Sequence, residues 1–344
     1  MATKYKFCFG PWNLSEGQDP YGPPTRPVQA FDWKLDQLKQ LGFDAMMFHD
    51  DDAVPDIDSK SDAQLRKEAR KLKRKLDEGG IVAEIVAPRL WFDPRTIDGA
   101  YTSNDPKCRR YAIERSLRCI DVAKVLDCDL IVLWLAREGS YIRESKNARR
   151  CVDYLVEAID RMLAHDKKIR IAIEPKPNEP MDLAYIPTIG HALALSTLTC
   201  DPKRVGCLIE SAHALLAGLD PADEIDFACA FGKLWSLHLN DQNGLKFDQD
   251  KPFGSANLRV AFNQVRALER NKYGRQGEYV AFDVHPFRTT KVEHWTAHLA
   301  NSRRTFLRLV QKARTFDEAK ARKLIADRNY AALDQMVLEH LMGR

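Results

Sequence analysis

The chain of 344 residues has little of what marks several large protein classes. Its eight cysteines are scattered with no CxxC pair, and Cys119, Cys128 and Cys151 stand in apolar or helical contexts. That spacing argues against a cysteine zinc site or a disulfide framework, so reduced core thiols are expected. No apolar run approaches membrane-spanning length, and MATKYKFCFG has no apolar core of the signal-peptide kind. A soluble, cytoplasmic protein is the expectation. The formal charge of +4 is a small excess of 53 basic over 49 acidic side chains and implies no polyanionic partner. The basic run RKEARKLKRKLDE reads as the exposed face of a helix rather than a nucleic-acid surface. The first strand is followed by no GxGxxG fingerprint, which disfavours an open dinucleotide-binding sheet.

What is present is alternation. Short β-branched or aromatic runs are expected as strands at Tyr5–Phe9, Ala45–Phe48, Ile81–Val86, Leu130–Trp134, Ile169–Glu174, Val205–Ile209, Leu234–Leu239 and Tyr279–Phe282. Between them fall segments with apolar residues three or four apart, such as Phe31, Leu35, Leu38 and Leu41 ahead of Gly42. Further helices are read from about Lys107, from Val152 to Leu163, and at His191–Leu198, Ala222–Phe231, Leu258–Leu268 and Glu293–Val310. Eight strand–helix units without a linker give an α/β class and a (β/α)8 TIM barrel over residues 1–311. Residues 312–344 are helical and polar, too poor in apolar residues for a separate domain, and read as a C-terminal helical arm.

In such a barrel the chemistry collects at the C-terminal ends of the strands. IRIAIEPKPNEP ends a buried strand at Glu174, because Pro175 has no N–H for a ladder, and places Lys176 just beyond. Buried charges of this kind are costly unless something uses them. The other strand ends carry His49, Trp134, Glu210, His238 and Asp283. Local spacing adds to the pattern. Glu210 and His213 are three apart and share a face if the strand turns into a helix. An extended Asp248-Gln249-Asp250 sends both carboxylates to one side, a grip for a hard divalent ion. Asp52, three after His49, can hold that imidazole in one tautomer. The ligand count is Glu174, Glu210, His238 and Asp283 for one divalent ion, and Glu210, His213, Asp248 and Asp250 for a second, with Glu210 bridging. His191, His294 and His298 lie on helices and read as packing or surface residues, and tryptophans such as Trp12, Trp91 and Trp134 are commonly core.

The stretches FCFGPW, QDPYG, FHDDD, TSNDPKCRRYA, LWLAREG, IAIEPKPNEP, PTIGHALA, IESAHALLAGLD, LHLNDQNGLKFDQD and AFDVHPFRT resemble the D-xylose isomerase family from near residue 6 to the C-terminus. The resemblance implies an aldose–ketose isomerase that converts D-xylose to D-xylulose, or D-glucose to D-fructose, by ring opening and a metal-assisted 1,2-hydride shift. It implies two divalent ions per subunit (Mg²⁺, Mn²⁺ or Co²⁺) and a homotetramer. His49, oriented by Asp52, would open the sugar ring, and Lys176 would hydrogen-bond the carbonyl oxygen. Trp12, Trp91 and Trp134 would line an apolar channel, and Tyr21 would reach in from a neighbouring subunit.

The chain departs from the family at several of these positions. His238 stands where the family has Asp, which removes a negative charge and favours manganese, cobalt or zinc over magnesium. Trp91 and Tyr21 each replace Phe, Arg89 replaces a small polar residue, His285 replaces Lys and Met181 replaces Arg. The metal set with His238 is similar to those of L-rhamnose isomerase and the ketose 3-epimerases. An isomerase or epimerase of another sugar is therefore the alternative expectation, and a metal-dependent nuclease on the same barrel is a further one.

Overall fold

The computed structural model describes residues 3–19 and 21–343. Eight parallel strands close into a barrel in sequence order: β1 Lys6–Phe9, β2 Ala45–His49, β3 Val82–Ala87, β4 Leu130–Trp134, β5 Arg170–Glu174, β6 Val205–Glu210, β7 Leu234–His238 and β8 Tyr279–Ala281. Closure is made by β8 against β1, with Lys6 opposite Tyr279 and Cys8 opposite Ala281. The helices that return the chain are α1 Phe31–Gln40, α2 Asp62–Gly79, α3 Pro106–Val125, α4 Ala148–His165, α5 Ile189–Thr197, α6 Pro221–Ala230, α7 Leu258–Asn271 and α8 Ala297–Thr315. Asp105, Asn147, Asp220 and Asn257 cap the starts of α3, α4, α6 and α7 through their side-chain oxygens. Each such cap contributes about 0.5–2 kcal/mol.

Two buried layers result. One lies between the sheet and the helices, where Phe7, Phe43, Phe282 and Phe306 pack edge to face or stacked. The other fills the barrel with small and mid-sized residues, among them Ala45, Met47, Ile85, Val132, Ala172 and Leu208. Gly206 on β6 has no room for a side chain, since a Cβ there would meet the Trp235 ring at 2.6 Å. All eight cysteines are free, six of them buried, with Cys229 half-buried and Cys200 exposed, and no helix among the described residues is long and apolar enough to cross a membrane. After α8 the chain forms α9 Glu318–Ala326 and α10 Tyr330–Met342. These fold back on the chain's own α7 and α8: His340 packs its ring against Phe262 and Phe316, and Glu318 pairs with Arg266 at 2.6 Å.

Beneath the mouth lies a buried ion pair. Arg115 of α3 donates from Nε to Asp50 Oδ2 at 2.6 Å and from Nη2 to Oδ1 at 2.9 Å, a two-pronged contact with both residues buried. Removing one partner leaves the other charge unpaired and buried, so Arg115→Met is expected to destabilise the fold by about 3–5 kcal/mol. A urea-unfolding midpoint equal to that of the unaltered chain would refute this.

Candidate active site

Two strands pass straight into short helices, and that is what aims their side chains. β2 runs into a helical turn at Asp50–Ala53, with the Asp52 carboxylate bound back to the His49 N–H at 3.0 Å. β6 runs into Ser211–Leu216, so Glu210 and His213 share a face as their spacing suggested. His213 Nε2 lies 3.3 Å from Glu210 Oε1 and 3.1 Å from Asp248 Oδ2. Across the mouth, His238 Nδ1 faces Glu174 Oε1 at 3.6 Å, Glu210 Oε2 at 3.8 Å and Asp283 Oδ2 at 3.6 Å.

The three separations around His238 exceed hydrogen-bond length and suit donors sharing a cation, each about 2.0–2.2 Å from it. Three groupings that include Glu210 close to within 4.8 Å: Glu174–Glu210–His213, Glu210–His238–Asp283 and Glu210–Asp248–Asp250. Among the described residues, buried His213 Nδ1, His238 Nδ1 and Asp248 Oδ1 find no hydrogen-bond partner. Such orphaned donors and acceptors are rare inside proteins and point to an ion. The acids and imidazoles thus fit divalent cations, with Glu210 common to all three groupings.

The charges are in tension. Burial and the carboxylates of Asp248, Asp250, Asp283 and Glu174 push the Glu210 pKa well up. Burial and Asp248 likewise raise Asp250 to about 6. Burial also presses on Glu174, but His238 and His213 outweigh it and hold that carboxyl at about 2. Burial pulls His238 down while Glu174 and Asp283 lift it to about 9. A cluster that sheds charge this way is one that a cation would stabilise.

The extended geometry expected at Asp248–Asp250 is not what brings those carboxylates together. Asp250 sits at φ 45°, in the left-handed region that Asp tolerates better than most residues. The loop is closed instead by paired backbone bonds between Asp241 and Lys251, and Asp250 Oδ2 lies 2.9 Å from His285 Nδ1. Two amides missed in the sequence reading hold these carboxylates in place. Asn240 donates to Glu210 Oε1 and to Asp250 Oδ1, both at 2.8 Å. Asn13 donates to Asp283 Oδ1 at 2.6 Å, beside Trp12 Nε1 at 2.9 Å on the same oxygen. The signal was positional only: each lies in a stretch, FGPWN or LHLNDQNG, that otherwise carries site residues.

Facing the acids is an aromatic wall. Trp12 lies 4.2 Å from the His49 ring, His49 lies 5.1 Å from Trp91, and Trp91 lies 4.5 Å from Trp134. Lys176 Nζ stands 5.2 Å over Trp134 and donates to Asp248 Oδ2 at 2.8 Å. Together these residues line a cavity of about 570 Å³ whose deeper wall includes Ile85, Ala87 and Val132. Tyr21 is 88% exposed and does not line it, so within one chain it stands apart from the other site residues. Of the helix-borne histidines, His298 is buried against the Asn13 carbonyl and His191 bonds Thr188, both away from the cavity. A second cavity, about 400 Å³, is lined by Glu84, Arg170, Trp235 and Tyr279, and among the described residues no grouping of metal-ligating side chains converges there.

Fold and site define a (β/α)8 barrel whose strand-end mouth carries acid–imidazole donor sets of the kind that hold divalent cations, walled by tryptophan. Residues 35–275 match the family model described as a xylose isomerase-like TIM barrel. The chain is 36% identical over 330 residues to a xylose isomerase of Thermus thermophilus, covering 94% of this chain and 84% of that protein. It is 35% identical over 329 residues to the xylose isomerase of Thermus caldophilus, with the same coverage. The chain belongs to the xylose isomerase family. Among solved structures, the fold is similar to a D-tagatose 3-epimerase-like protein (TM-score 0.65, 16% identity, 89% of this chain and 98% of that one). It is also similar to L-ribulose 3-epimerase (TM-score 0.64, 14% identity, 90% and 96%).

Proposed function

We propose that this chain is a metal-dependent aldose–ketose isomerase that converts D-xylose to D-xylulose. The observation that carries the reading is the convergence of seven acid and imidazole side chains beside His49 and Lys176 in one tryptophan-walled cavity. Glu174, Glu210, His238 and Asp283 are the donors for one divalent cation, and Glu210, His213, Asp248 and Asp250 for a second. Bound there, the cations supply Lewis-acid polarisation of the sugar's carbonyl and hydroxyl oxygens. His49 acts on the ring oxygen when the cyclic sugar opens. Burial presses the Lys176 ammonium toward neutrality, but Asp248 with Glu179 and Glu210 outweighs it and raises its pKa, so Lys176 is charged and donates to the carbonyl oxygen at C1. Trp12, Trp91 and Trp134 exclude water from the two carbons between which hydrogen moves. Family membership supports a cytoplasmic homotetramer, in which Tyr21 of one chain would meet the site of another.

The direct experiment is a panel of aldoses, D-xylose and D-glucose included, incubated with Mn²⁺, Co²⁺ or Mg²⁺ and assayed for ketose. Absence of turnover of every aldose refutes the reading. The imidazole of His238 supports a second reading, an isomerase or epimerase for another sugar, and ketoses added to the same panel separate the two. His238→Asp restores the carboxylate and is expected to move the metal preference from Mn²⁺ or Co²⁺ toward Mg²⁺. An unchanged rank order of activation by the three metals would count against His238 as a ligand.

A further inference from the structure

His49, Asp51 and Asp52 place ligand atoms within 4.8 Å of one another, a grouping that could hold a cation. A cation from the chain itself is already there. The Arg89 guanidinium lies among all three: Nη2 is 2.5 Å from His49 Nδ1 and donates to Asp52 Oδ1 at 3.0 Å, while Nε stands 3.3 Å from Asp51 Oδ1. Arg89 is anchored through its backbone too, its N–H donating to Asp50 Oδ1 at 3.1 Å. Asp50 is in turn taken by Arg115. Among the described residues, the charged groups around His49 are Asp51 and Asp52 on the turn after β2 and Arg89 after β3, and the rings beside it, Trp12 and Trp91, are uncharged.

Two claims compete for Nδ1. Asp52 Oδ2, 2.9 Å away, can only accept; the Arg89 nitrogen can only donate. One ring nitrogen cannot satisfy both, and two N–H groups at 2.5 Å would repel. Asp52 has other donors, since Oδ2 accepts from the His49 N–H and Oδ1 from Arg89. Among the described residues, Arg89 Nη2 has a second acceptor in Asp52 Oδ1 at 3.0 Å and none as close as Nδ1. We infer that Arg89 is a positioning residue that fixes His49 in its Nε2–H tautomer, so that His49 offers the sugar a donor rather than a base. In a bare His–Asp pair the carboxylate would draw the proton to Nδ1 and leave Nε2 as the base. Arg89 reverses that assignment. The inference rests on the isomerase reading only for what His49 faces.

The test reads the ring nitrogens and not turnover, so the two readings can fail separately. The full chain is labelled with ¹⁵N-histidine and the His49 signals are assigned by their loss in His49→Asn. The expected result near pH 7 is a protonated Nε2 and a bare Nδ1. Arg89→Met is expected to reverse the pattern, with the proton on Nδ1 facing the Asp52 carboxylate. Arg89→Lys keeps the charge without the planar fork, so the two tautomers should mix. A proton on Nδ1 in the unaltered chain would overturn the inference. So would a ring whose tautomer is left unchanged by the two substitutions.

Discussion

Glu210→Gln is expected to lower kcat on the aldose by about three orders of magnitude or more without weakening the fold. Glu210 is shared by all three donor groupings, with one oxygen toward His213 and the other toward His238. Replacing it with an amide removes an anionic donor from both proposed cation positions at once. Loss of several kcal/mol of charge stabilisation converts to about 10³-fold or more in rate. The same carboxylate lies among four others that raise its pKa, so its charge strains the metal-free protein. Glutamine has the same shape and no charge, and it can still accept from Asn240 Nδ2. The paired expectation is thus specific: activity collapses while the unfolding midpoint of the metal-free protein stays level or rises. A residue kept only for packing would give the opposite pair.

Lys176→Met should separate catalysis from metal binding. The ammonium is buried, held 2.8 Å from Asp248 Oδ2 and 3.3 Å from Glu179 Oε2, and supported by the Trp134 face. Methionine fills much of the same volume and carries no charge. Removing one donor aimed at developing negative charge typically costs about 10²–10³-fold in kcat. Cation binding should be unharmed, because Asp248 loses a competitor for its oxygen. A fall in kcat of that size with unchanged cation stoichiometry supports the assigned role. Loss of bound metal with kcat per metal-loaded site intact would show Lys176 to be structural.

The fold was legible because it rests on local, repetitive signals. Buried parallel strands need apolar β-branched runs, and those runs lay within about two residues of the observed strands, as at Leu130–Trp134 and Val205–Glu210. The acids and imidazoles were legible because charge at the end of an apolar run is conspicuous. What escaped the reading depends on the way distant segments meet. Asn13 and Asn240 carry no charge to draw the eye, yet they hold Asp283, Glu210 and Asp250 in place. Asp250 reaches its partners through a left-handed residue that spacing alone does not reveal. His213 was assigned to one donor set by its distance from Glu210, whereas in three dimensions its other nitrogen also faces Glu174 at 3.7 Å. Arg89 was visible as a departure from the family, but its place between His49, Asp51 and Asp52 follows only from the closure of β2 against β3.

The central claim is that the strand-end side chains form a two-cation centre, and titration of Mn²⁺ into the chelator-treated full chain tests it most directly. Calorimetry and elemental analysis of the loaded protein should both give two ions per chain, with loss of at least one in Glu210→Gln. A single ion per chain, or none, would contradict the account.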